Sequence, residues 1–474
     1  MPDLETSPPD PLEGSPAVHR STLLAAVEQL VAPSLVRDVF VAHADRSYRA
    51  RVLTIELVFF ALLQFVLGGF ASFAALVGAL RAGVLRGLPR IDVTDRAFYL
   101  RLQALPHTRF LAVLHALTSQ LRTAAPPARS WVRALAPFAS GVYAIDDTTL
   151  DALARKVAIL AQHPKGAPAT LGGRLGVALD LCTGQVATVL HDADAAANEK
   201  AHLLALVESL GAGALVVLDL GYFAFPLFDA LSERSIHWVT RLREKTSFVV
   251  VATLADRPKY RDRIVRLGKW RSDRAARPVR LVELETATGW QAWLTNVLDP
   301  QELPAPNVWA LYAQRWTIEM VFAALKRALG LAYLRPCHTN GVLIQIWCTL
   351  CVYQVLQQLR LSVAAAHGWN ADRVSWERLV RQIGFYSQQP SPPPLVEYLC
   401  APARAADLVK QGTRTRRQDL PAATRAACEP VPILPAGLDL APGRPRQGRS
   451  SERQVCTVTA VAVLLGASAK GPGQ

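Results

Sequence analysis

Acidic side chains are short relative to basic ones in this 474-residue chain, 38 Asp and Glu against 52 Lys and Arg, for a formal net charge of +14. With 51% apolar residues the chain is neither disordered nor fibrous, and it is long enough to divide into several domains around large cores. The positive excess points to a polyanionic partner, because each neutralised phosphate releases a condensed counterion; Arg- and Ala-rich composition also follows from genomic base bias. Cysteine is sparse, with seven scattered residues, an odd number that excludes a disulfide framework and reads as reduced thiols in the cytoplasm. Cys348-x-x-Cys351 has no second pair at ligand spacing and sits in the apolar run IWCTLCVYQVL, so it reads as core, not as a metal or redox site. A signal peptide is also missing: MPDLETSPPDPLEGSP has no basic region followed by an apolar stretch, and residues 1–19 read as a flexible lead-in. Long apolar runs are nearly absent. The one at 52–80 is interrupted by Glu56, Gln64 and the pair Gly68-Gly69, which favours two packed core helices over a membrane span, and no membrane partner is expected.

What is present falls into successive textures. Residues 20–135 show helical periodicity, with Thr94 or Asp95 placed to cap a segment carrying Arg96, Arg101 and Arg109; this region reads as a helical DNA-binding domain or a plain Arg-rich bundle. From about 138 the text turns to short apolar runs. GVYAID and ALVVLD are continuous, as in strands covered on both faces, and each ends in a carboxylate. Between them RLGVALDLCTGQVATVLHD predicts a hairpin turning at Thr183-Gly184, followed by helices near 196–210 and 223–232 and a strand at 236–242. The fold class is therefore α/β, a mixed sheet of about five strands flanked by helices. Residues 243–300, with Trp270, Trp290 and Trp293, read as a β-rich insertion before the helix that carries Glu319. The tryptophans suit core packing, or stacking on an extruded base. Apolar helices resume at 341–400, and 401–474 forms a basic, Pro- and Arg-rich tail with TRTRR at 413–417; the stretch 455–467 has no assignment.

The most informative feature is the spacing of Tyr312, Arg315, Glu319 and Lys326 in ALYAQRWTIEMVFAALKRALGL. On one continuous helix the four fall within roughly 60° of each other, beside an apolar face of Ile318, Val321, Phe322, Leu325 and Leu329. Taken alone, this is equally an amphipathic surface helix. Strand ends of an α/β sheet converge at its carboxyl edge, however, where Asp146 and Asp219 can meet Glu319. Three carboxylates held together repel one another unless cations neutralise them, and hard oxygen donors without His or Cys favour Mg²⁺ or Mn²⁺ over zinc. A two-ion site of this kind suits phosphodiester chemistry.

In I-Asp146-D-T-T-L, L-Asp219-L-G-Y-F and the stretch LTNVLDPQELPAPNVWALYAQRWTIEMVFAALKRALGL, the chain resembles the DDE transposases of bacterial insertion sequences, specifically the insertion-sequence-four family with its Tyr-Arg-Glu-Lys signature. The likeness extends loosely over most of 50–360. It implies a ribonuclease H-like catalytic domain over 136–340, interrupted by the insertion at 243–300. It also implies Asp146, Asp219 and Glu319 as catalytic ligands of paired Mg²⁺ or Mn²⁺ ions, and Tyr312, Arg315 and Lys326 as contacts to DNA phosphates. Such enzymes work as dimers on paired element ends and join them to target DNA by cut-and-paste chemistry, without a covalent enzyme intermediate. Asp147 is the alternative first ligand; Asp146 is favoured because it directly follows the apolar run. Asp180, Asp192 and Asp194 read as hairpin or loop residues, Glu199 as a first-turn helix residue, and His338 as a loop residue.

Overall fold

The computed structural model describes residues 33–42, 52–68, 70–85, 87–124, 129–151, 171–336, 338–387, 393–409, 419–443 and 461–463. The lead-in at 1–19, TRTRR at 413–417 and nearly all of 443–453 lie outside the described residues. The chain divides into two compact units: Met1–Leu117 with Ala328–Gly330 and Arg335–Lys410, and Thr118–Arg327 with Leu331–Leu334 and Gln411–Gln474.

The first unit is helical. The apolar run at 52–80 forms two helices, Ile55–Gly68 and Phe73–Ala82, as its internal breaks predict. Phe59 stacks edge-on against Phe40, and Phe65 and Phe98 pack on Phe73, so this apolar surface is spent on a core. Ser72 caps the second helix through Ala75 N, and Gly83, in the left-handed region at φ 70°, closes it. Of the two capping candidates for Asp95–Ala104, it is Thr94 whose hydroxyl accepts from Ala97 N. The 28-residue helix Thr339–Ala366 is, among the described residues, the one long and apolar enough to cross a membrane, but 94% of its most apolar window is buried inside the protein. Cys348 and Cys351 lie within it, at 0% and 1% exposure, and burial raises both thiols, which suits packing rather than thiolate chemistry. His338 is the cap of this helix, accepting from Gly341 N at 3.0 Å.

The second unit is built on one mixed sheet. Its strands are β1 (Val142–Asp151), β2 (Leu171–Asp180), β3 (Val186–Asp192), β4 (Leu215–Leu218), β5 (His237–Arg241), β6 (Phe248–Arg257), β7 (Tyr260–Leu267), β8 (Val279–Thr286), β9 (Gly289–Thr295) and β10 (Val461–Val463). They lie in the order β10-β3-β2-β1-β4-β5-β9-β8-β7-β6. The continuous apolar runs are central: β1 and β4 pair in parallel, β4 pairs in parallel with β5, and β1 pairs antiparallel with β2. The β2–β3 hairpin turns where expected, with Gly184 at φ 69° and the Asp180 carboxylate accepting from Cys182 N and Thr183 N.

Two expectations need correction. The β-rich text does not stand apart from a five-stranded sheet: β9 pairs antiparallel with β5, and β8, β7 and β6 follow as a meander that extends the same sheet to nine strands, with β10 beside β3 at the opposite edge making ten. Core formation recruits Trp293 at 1% exposure, but Trp290 and Trp270 remain 47% and 81% exposed. The other correction concerns the Tyr-Arg-Glu-Lys stretch, which is not one continuous helix. It comprises Ala305–Ala313, a break at Gln314-Arg315, Trp316–Ala323, and a π-helical turn at Ala324–Ala328. A break and a widened turn shift side chains relative to an ideal 3.6-residue repeat, so Lys326 is not placed by that repeat.

Candidate active site

Register positions the first two carboxylates. The last parallel pair between β1 and β4 is Ile145 with Leu218, so Asp219 directly follows β4 and Asp146 lies beside it where β1 runs on past the end of β4, paired with β2, to Asp151. Helix Trp316–Ala323 packs against β1 and carries Glu319 in its first turn, its apolar side formed by Ile318, Val321 and Phe322, all buried. Arg315, at the helix break, brings the three together. Its guanidinium lies 3.6 Å from Asp146 Oδ2, 3.5 Å from Asp219 Oδ1 and 3.1 Å from Glu319 Oε1. Only 9% of the Arg315 side chain is exposed, against 40% for Asp219 and 39% for Glu319, so these two carboxylates open outward around a buried cation while Asp146, at 16%, lies deeper. Burial works against the arginine's charge, but the surrounding acids outweigh it and its pKa is raised. The Asp146 carboxyl is pushed up to about 7, chiefly by burial, with Asp219 and Glu199 adding to the rise and Asp147 N and Arg315 opposing it.

The remaining signature residues adjoin this cluster. Tyr312 is half-buried; burial raises its hydroxyl pKa, Arg315 opposes the rise and Asp219 adds to it. Lys326 Nζ donates to Thr149 O at 2.7 Å, tying the π-helical turn to β1 just beyond Asp146. All six sequence-derived residues thus lie in the second unit around one strand edge.

Alternation along β1 separates Asp146 from Asp147. Asp146 meets Arg315, whereas Asp147, whose side chain is 0% exposed, is engaged on the opposite side. There His202 Nδ1 lies 2.7 Å from Asp147 Oδ2, Tyr222 donates its hydroxyl to Oδ1 at 2.6 Å, and Arg174 Nε lies 3.2 Å from Oδ2. His202 Nε2 reaches Asp192 at 3.0 Å, and Arg174 also bonds Glu199 at 3.1 Å. Sequence reading missed this cluster, treating Asp192 and Glu199 as local loop and helix residues. One signal was present, that consecutive acids on a buried strand require polar partners on both faces; that mid-strand Gly176 pairs with Asp147 comes from the register of the fold. A methyl group at Gly176 would stand 2.9 Å from Asp147 Oδ1.

The donor chemistry at Asp146, Asp219 and Glu319 suits a hard divalent cation: three carboxylates from distant parts of the chain converge, and one carries a burial penalty that positive charge relieves. The cation at their centre in this structure is Arg315. Among the described residues, no three His, Cys, Asp or Glu side chains are arranged to hold a metal ion.

Comparison with known proteins agrees with the site's chemistry. The family model described as "Transposase DDE domain" matches residues 137–355, a span that contains all six residues. The chain is 25% identical over 156 residues to y4zB of Sinorhizobium fredii, which carries a transposase name, covering 31% of this chain and 43% of that protein. It is 23% identical over 227 residues to transposase InsG for insertion sequence element IS4 of Escherichia coli, covering 45% of this chain and 50% of that protein. The matches therefore span about half the length of these curated relatives or less. A solved piggyBac transposase synaptic complex with hairpin DNA aligns at 10% identity over 85% of this chain and 88% of its own, with a TM-score of 0.41, too loose to carry an argument. Residues 137–355 match the transposase DDE domain model, and the chain resembles transposases, among them one of an insertion sequence element.

Proposed function

We propose that this protein is a cut-and-paste transposase that binds the terminal inverted repeats of its own element, cleaves DNA there and transfers the strand ends to target DNA. The observation that carries the reading is the convergence of Asp146, Asp219 and Glu319 on Arg315 at the carboxyl end of β4, where β1 runs past it, inside the matched domain. The strand order β3-β2-β1-β4-β5, with β2 alone antiparallel to β1, supports a ribonuclease H-like core to which β6–β9 are added. In this reading the helical residues before the sheet bind DNA, and the protein acts in the cytoplasm as a homodimer on paired ends.

Asp146, Asp219 and Glu319 would hold Mg²⁺ or Mn²⁺, and bound ions supply activation of the attacking oxygen and stabilisation of the leaving one. The chain's own residues supply placement. β1 and β4 fix two carboxylates side by side, and helix Trp316–Ala323 brings in the third. Arg315 balances their charge, and with Tyr312 and Lys326 it offers donors to phosphate oxygens at the same edge. The +14 net charge favours a polyanionic substrate.

The test is cleavage and joining of a plasmid that carries the DNA flanking the gene, with added Mg²⁺, comparing the intact protein with Glu319→Gln and Asp219→Asn. Cuts at the repeat boundary and strand-transfer products, both reduced at least about a thousandfold in the variants, are expected. Cutting without joining would reassign the protein as a nuclease or resolvase on this scaffold. Repeat binding without cutting by the intact protein would make it a catalytically decayed DNA-binding copy.

A further inference from the structure

Asp147 is a fully buried acid adjacent to the candidate site, yet it does not face it. Its partners come from three elements that surround the catalytic edge. Tyr222 ends the short turn Leu220–Tyr222 that directly follows Asp219, and its backbone N–H bonds Asp219 O at 3.1 Å while its hydroxyl reaches Asp147. His202 belongs to helix Glu199–Glu208 and bridges Asp147 to Asp192 at the end of β3. Arg174 on β2 joins Asp147 to Glu199 and to Ala197 O. The turn after Asp219 also lies hard against this helix, because a side chain at Gly221 would run into the Glu199 carboxylate. One buried carboxylate therefore links the residue next to Asp146 with the turn next to Asp219.

We infer that Asp147, acting through Tyr222 and His202, is a positioning residue that sets the separation of Asp146 and Asp219. The inference rests on the reading of those two acids as catalytic carboxylates. A purely structural anchor would need only burial and a partner, whereas this one connects β1 at Asp146 with the turn that follows Asp219, the two carboxylates whose spacing decides whether one ion can be shared. Groups that orient ligands from behind in this way are typically worth about 10- to 100-fold in metal affinity or activity.

The same chemical deletion can be made far from the site. Tyr260 donates its hydroxyl to buried Asp262 at 2.6 Å on β7, so Tyr260→Phe is a structural control for Tyr222→Phe. In the full-length protein, Mn²⁺ binding without DNA would be followed by electron paramagnetic resonance, single-turnover cleavage by gel, and thermal stability in parallel. The expected result is that Tyr222→Phe weakens Mn²⁺ binding and slows cleavage about tenfold or more, while Tyr260→Phe lowers thermal stability and leaves both readouts at wild-type values. Should Tyr222→Phe not fold, His202→Gln is read in the same way. Wild-type Mn²⁺ affinity and cleavage in the Tyr222 variant, or equal losses in both Tyr variants, would overturn the inference while leaving the functional reading intact. An intact protein that neither binds Mn²⁺ nor cuts DNA would overturn the functional reading itself, and this inference with it.

Discussion

Burial governs how Asp146 titrates. Its carboxyl is raised from an ordinary value near 3.8 to about 7, mainly by burial. Below the unfolded-state value the acid is protonated in both states and costs nothing. Between that value and about 7 the unfolded chain ionises while the folded one holds its proton, so its contribution to stability is lost as pH rises and levels off above about 7. Asp146→Asn, neutral at every pH, is therefore expected to match wild type near pH 4. It should gain on wild type through pH 7, by up to a few kcal/mol, measured by chemical denaturation with a chelator present. A flat difference across that range would show that Arg315 already compensates the charge. An apolar run that stops at a carboxylate reads as a strand end and singled out Asp146, but β1 continues to Asp151; what stops before Asp146 is the pairing with β4, a long-range property. Its preference over Asp147 followed from the same run, and the structure gives a physical reason: successive strand residues face opposite sides, and Asp147 has its own buried partners.

Elements were legible to different depths. Buried central strands, the hairpin at Thr183-Gly184 and the helix start at Thr94 each depend on short-range chemistry, and each appears near where the residues indicate. The break at Gln314-Arg315 was hidden, since neither residue is a helix breaker and no Pro or Gly marks the site. The attachment of β6–β9 was hidden as well, because a strand's partner is a long-range choice that local text does not record. Holding that extension together is a fully buried pair: Arg280 contacts both Asp262 oxygens at 2.8 and 2.6 Å and also donates to Leu303 O. Asp262→Ala would strand the Arg280 charge at 0% exposure. Denaturant unfolding is expected to show a loss of about 3–5 kcal/mol. A loss below about 1 kcal/mol, as for an exposed ion pair, would mean that water reaches Arg280 and that the extension is not rigidly packed.

At the scale of the whole molecule, the positive excess governs association more than fold. If the +14 charge serves DNA binding, the logarithm of affinity for a non-specific duplex should fall linearly with the logarithm of salt concentration. A slope near −0.9 per contacted phosphate corresponds to a loss of roughly 10³- to 10⁵-fold between 50 and 200 mM salt for six to ten contacts. Filter binding or fluorescence anisotropy across that range checks it, and a slope near zero would reassign the charge to compositional bias. By itself the sequence determined the α/β class and the two core helices within 52–80, and it singled out Asp146, Asp219, Glu319, Tyr312, Arg315 and Lys326 as candidates, because residue type, apolar periodicity and motif spacing are local properties. Only the tertiary structure decided that Arg315 stands among the three acids, that Asp147 anchors a buried network with His202, Tyr222 and Arg174, and that the β-rich segment continues the central sheet. Each of these depends on which distant segments pack together, and the register and burial that bring them into contact are set by the fold as a whole.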